Sequence, residues 1–143
     1  MTAESLFSIC NITAMLGWIL LMTAPRWVVS RKLVRSGIFP ILLAVVYLLL
    51  IAIHLPSSEG GFGSLAQVDQ LFQNPWALLA GWVHYLAFDL FMGIWEVKDA
   101  EARGISHWLV VPCLIFTFML GPIGMLLYMV LRGVVKKEVI LEI

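Results

Sequence analysis

Charge is scarce in this sequence. Asp, Glu, Lys and Arg make up 13% of its 143 residues, against roughly 25% in soluble domains. The cations and anions cancel to a formal net charge of zero, so no global field draws nucleic acid or acidic partners to the chain. Cysteine is rarer still: only Cys10 and Cys113, each inside an apolar run. Two such thiols form neither a disulfide framework nor a metal pair, and read as small apolar fillers. A Gly-rich phosphate loop, a nucleophile elbow and a Cys-x-x-Cys motif are all missing, which removes the commonest signatures of nucleotide, hydrolase and redox chemistry. The opening Met-Thr-Ala-Glu lacks a basic n-region, and the apolar run after it is too long for a signal h-region. With no Arg- and Ser-rich transit segment either, the first apolar segment is expected to be a retained helix.

Apolar residues, by contrast, make up 62% of the chain, well above the roughly 45–50% of soluble domains. That excess predicts a single membrane domain over residues 1–143, an all-α integral bundle of about four transmembrane helices. Crossing about 30 Å of hydrocarbon takes roughly 20 apolar residues, and the backbone must be satisfied within the segment. Ser5–Ala24, Gly37–Leu55, Pro75–Trp95 and His107–Leu131 meet this requirement. Between the second and third, Leu65, Val68, Leu71 and Phe72 have helical spacing and predict a short interfacial helix over 65–74.

The connections differ in their cations. Pro25–Ser36 holds Arg26, Arg31, Lys32 and Arg35, while Glu96–Ser106 adds Lys98 and Arg103. Pro56–Asn74 has only acids. Counting Lys and Arg places the first and third connections in the cytoplasm and both termini outside. Arg132, Lys136 and Lys137 count against this arrangement. The rival is a fourth segment that does not cross, broken or re-entrant at Pro112 or at Gly121-Pro122, where proline removes a backbone donor.

Ionisable groups within a membrane are costly and therefore conspicuous. The third segment holds His84 near its middle and Asp89 five residues on. Trp82, Asp89 and Glu96 recur at intervals of seven on one helical face, with Tyr85 beside Asp89. His84 lies about 140° round the helix from Asp89. Asp89 reads either as a helix–helix clamp, to a neighbouring helix or to Arg26, or as an acid or base. His84 either bridges to Asn11, Thr13 or Thr117, or serves a site. Glu96, Asp99 and His107 form either a solvated charged turn or, with Asp89, a polar pocket opening from the membrane edge. These four include ligand types for iron or zinc, but neither Glu-x-x-His nor His-x-x-x-His occurs, and His54, His84 and His107 fall at different depths, unsuited to haem. No metal and no cofactor is expected. Most of the six tryptophans lie near segment ends, as an interfacial belt would.

One string is more specific than generic membrane sequence: Gly81-Trp82-Val83-His84-Tyr85-Leu86-Ala87-Phe88-Asp89-Leu90-Phe91-Met92-Gly93, followed by Trp95-Glu96-x-x-Asp99-Ala100 and Gly104-Ile105-x-His107. With Val111-Pro112-Cys113, Phe118-Met119-Leu120-Gly121-Pro122-Ile123-Gly124 and, upstream, Asn11, Gly17-Trp18 and Ala24-Pro25-Arg26, it resembles the plant abscisic-acid-deficient-4 family of small membrane proteins, the neoxanthin synthase type, in a short bacterial form. The likeness runs over nearly the whole chain. It implies a role in carotenoid or related isoprenoid metabolism in a bacterial cell membrane. Plant members are required to convert violaxanthin to neoxanthin, an isomerisation that opens a 5,6-epoxide to an allenic alcohol. That chemistry removes one proton from the polyene and delivers one to the epoxide oxygen, with no net redox change. Matched to that chemistry, Asp89 is the expected base and His107 or Glu96 the acid, while His84 and Tyr85 are expected to position the polyene. Trp82, Tyr85, Asn11, Arg26 and Asp99 are expected to contact substrate, with Arg26 as counter-charge. The expected partners are membrane lipid or carotenoid and a second copy or another membrane enzyme, with no nucleic acid. A non-catalytic scaffold or pigment holder is the alternative.

Overall fold

Several of the helices begin where a side chain or a proline can take the place of the missing first-turn hydrogen bonds. A computed structural model describes residues 2–137. Helix α1, Ala3–Thr23, starts at Thr2, whose hydroxyl accepts the Ser5 N–H at 3.2 Å. Thr13 and Thr23 donate to the carbonyls four residues back, at 2.9 and 2.6 Å, so the hydroxyls of an apolar helix are satisfied without a partner. A π-helical turn, Ser30–Val34, leads to Gly37, whose φ of 89° suits glycine and redirects the chain into α2, Ile38–His54. Ser64 caps the short α3, Leu65–Phe72. Asn74 accepts the Trp76 N–H at 2.9 Å where α4, Pro75–Ala102, begins. Helices α5, His107–Leu120, and α6, Pro122–Lys136, complete the chain. No strand occurs among the described residues, and the all-α bundle expected from composition is what forms.

Among the described residues three stretches are long and apolar enough to cross a membrane: Ala3–Thr23, Ser30–Ser57 (which contains α2) and Pro75–Ala102. The fourth predicted helix is divided. Gly121 adopts φ 42° and ψ −93°, and Pro122 opens a new helix. Pro112, the other candidate break, is absorbed within α5. The third helix runs seven residues past the predicted Trp95, and Gly104, with φ 63°, follows its end.

The contacts sort into two compact units, residues 1–15 with 39–88 and residues 16–38 with 89–143. In the first, Cys10 and Ala14 of α1, Leu43 and Leu50 of α2, and Leu79, Val83 and Leu86 of α4 form the core. Pro40, Leu43 and Leu50 of α2 are buried and Val46, Tyr47 and Ile51 pack against this core, while others, Leu48 and Ile53 among them, turn outward as lipid-facing residues do. In the second unit, Trp18 of α1 packs against Gly93 of α4: a methyl there would sit 2.6 Å from two indole carbons. Small residues let helices approach closely in membranes. The tightest approach is within the α5–α6 hairpin, where a methyl on Gly124 would fall 2.0 Å from the Thr117 backbone nitrogen.

Candidate functional site

Polar residues of α4 in the second unit are gathered on the face that meets the α5–α6 hairpin. Asp89 lies at the turn: a methyl on Gly121 would come 2.6 Å from its Oδ1, so the carboxylate rests directly on the glycine. It is partly exposed. One heptad on, Glu96 is wholly enclosed, with relative exposure of 0%. Thr117 of α5 donates to its Oε1 at 2.7 Å and also to the Cys113 carbonyl at 3.0 Å, while Oε2 has no hydrogen-bond partner among the described residues. Asp99 completes the row. It accepts from Tyr128 of α6 at 2.6 Å and from Arg103 at 3.0 and 3.1 Å, with Arg132 of α6 3.7 Å away. Arg132 is 1% exposed, and charges so deeply placed are tolerated only when paired.

The other sequence-predicted residues lie elsewhere. His107 does not join the carboxylates: its Nε2 is 2.8 Å from the Met22 carbonyl at the end of α1. A carbonyl only accepts, so Nε2 carries the proton and donates. Arg26 lies 3.6 Å from Glu101, which also pairs with Arg35. In the first unit Trp82 Nε1 donates to Asn11 Oδ1 at 3.1 Å, and Asn11 in turn donates to the Phe7 carbonyl at 2.7 Å. Asn11 is thus engaged with Trp82, Thr13 with its own helix and Thr117 with Glu96, so none of the three is bridged by His84. Its ring instead packs edge-on against Tyr47, with centroids 5.3 Å apart, and lies 4.7 Å from Phe88.

The first unit also holds an apolar cleft of about 580 Å³, walled by Phe7 of α1, Phe72 of α3, and Leu78, Trp82 and Tyr85 of α4. Among the described residues no group of three or more His, Cys, Asp or Glu side chains is placed to hold a metal ion.

Sequence reading missed the hairpin's contribution: Thr117, Gly121, Tyr128 and Arg132. One signal was available, since Tyr128 and Arg132 are four apart, on one face of an otherwise apolar helix.

These features define an all-α membrane protein with a carboxyl-bearing helix face set against a broken helical hairpin. The chain belongs to the ABA DEFICIENT 4-like family, whose model matches residues 5–128. Protein ABA DEFICIENT 4, chloroplastic, of Arabidopsis thaliana is 23% identical over 145 aligned residues, covering 95% of this chain and 64% of that protein. The chain therefore spans a little under two thirds of that relative's length. No solved structure matches it significantly.

Proposed function

We propose that this is a multi-pass membrane protein of carotenoid or related isoprenoid metabolism in a bacterial cell membrane, with α1, α2 and α4 each crossing, and that it isomerises an epoxide end group by acid–base chemistry. The observation that carries the reading is Asp89. It is a carboxylate within an apolar helix, partly exposed, and it lies where the opposing backbone has been opened at Gly121. Membrane carboxylates are expensive, and their retention points to a proton-handling role. Glu96 is sealed away from any substrate and His107 is tied to the Met22 carbonyl. Both proton steps therefore fall to Asp89. Its carboxylate takes the proton from the polyene carbon beside the epoxide, and the C–H electron pair forms the allene as the C–O bond breaks. The same proton, now on the carboxyl group, passes to the departing oxygen. Atoms balance, and no electron carrier is required.

The apolar cleft of the first unit favours a second reading, a holder of pigment or lipid without turnover. Extraction of pigment from protein purified out of a carotenoid-producing host, with chromatography and mass spectrometry, separates the two. A carotenoid isomer carried by the native chain and missing from Asp89→Asn supports the isomerase. Unchanged carotenoid carried equally by both supports the holder. Phospholipid alone in both extracts would contradict each.

A further inference from the structure

The α5–α6 hairpin returns to the end of the second unit from which it departs. Lys136, in the last turn of α6, has its Nζ 3.9 Å from where a methyl on Gly104 would stand, in the turn between α4 and α5. Tyr128 and Arg132 of α6 reach Asp99 near the end of α4. At 14 and 15 residues, these helices cover only about 21 and 22 Å, short of the roughly 30 Å hydrocarbon core. The hairpin therefore dips in and comes back out. Pro25–Ser36 belongs to the same end, because Arg26 and Arg35 both pair with Glu101 of α4.

All nine Lys and Arg residues of the chain thus lie on segments that meet at this end face of the second unit. Arg26 and Arg35 share Glu101, and Arg103 and Arg132 share Asp99. The other five, Arg31, Lys32, Lys98, Lys136 and Lys137, are exposed and form no salt bridge among the described residues. Trp27, 56% exposed in the first connection, and Trp108, 78% exposed in the first turn of α5, flank them. Tryptophan prefers the headgroup level of a bilayer, and unpaired cations beside it match phosphate.

We propose that this face binds anionic phospholipid headgroups of the cytoplasmic leaflet, and that the C-terminal end of α6 lies on that same side. The inference rests on the membrane reading alone and stands whether or not the protein is an isomerase. Each juxtamembrane cation contributes about a fivefold preference for anionic lipid. The test is the ratio of phosphatidylglycerol to phosphatidylcholine retained by the purified full chain after detergent extraction from mixed vesicles. The native chain should enrich phosphatidylglycerol. Arg31→Gln with Lys32→Gln should cut the enrichment by at least about tenfold, and Lys136→Gln with Lys137→Gln should do the same independently. Equal retention of the two lipids, enrichment that both double variants leave intact, or displacement of the lipid by low inorganic phosphate would overturn the proposal. So would an active alkaline phosphatase fused after Ile143, since that reporter works only outside, whereas a fluorescent protein at the same place should fluoresce.

Discussion

Asp89 and Glu96 occupy one face of one helix, yet their surroundings differ. Asp89 is partly open, and Glu96 is closed over by Thr117. Replacing Glu96 by Gln keeps an acceptor for the Thr117 hydroxyl and removes the expense of a buried charge. Thermal unfolding in detergent should move by no more than about 1 kcal/mol, and turnover should persist. A large loss of turnover in a folded Glu96→Gln protein would place Glu96 in the chemistry. Gly121 is the reverse case. Its φ of 42° disfavours any side chain, and a methyl would strike Asp89 Oδ1. Gly121→Ala should lower stability by about 1–3 kcal/mol and reduce turnover by pushing the carboxylate aside. The sequence exposed Asp89 as costly and conspicuous but could not distinguish its environment from that of Glu96. Enclosure is decided by Thr117, 21 residues away, and nothing local records that contact.

At the level of elements, runs of apolar residues bounded by Pro, Gly and polar caps located α1, α2 and α3 to within a few residues. The same reasoning ended α4 too early, at Trp95. Its charged continuation had looked like a connection, but Asp99 and Glu101 are held by Tyr128, Arg103, Arg35 and Arg26, so the helix keeps its charges satisfied and runs on to Ala102. The fourth segment illustrates a second limit. Hydropathy alone made 107–131 one span, whereas the Gly121-Pro122 pair, flagged as a rival break, divides it. Close packing keeps the two arms together, because Gly124 leaves room for the Thr117 backbone. Gly124→Val should therefore destabilise the protein by about 3 kcal/mol or more, with loss of the folded, detergent-soluble form on size-exclusion chromatography. A variant as stable as the native chain would show that the hairpin is not packed as described.

Over the whole molecule, composition decided the most. A chain this apolar and this poor in charge had to be a membrane protein, and its helices bear that out in length and in outward-facing apolar side chains. The count of cations on each connection was legible as well, but its conflict with the C-terminal Arg132, Lys136 and Lys137 was not resolvable without knowing that α6 doubles back beside α4. The resemblance to plant proteins named a chemistry, family membership supports a link to carotenoid metabolism, and the acid–base role of Asp89 is the proposal built on them. The most direct test is turnover by the purified protein alone: an epoxy-carotenoid supplied in lipid vesicles, with products followed by chromatography and mass. The account predicts an allenic product of unchanged mass, formed by the native chain and lost by at least about a hundredfold in Asp89→Asn, with the variant's unfolding temperature preserved. Equal conversion by the two proteins would contradict the assignment of Asp89.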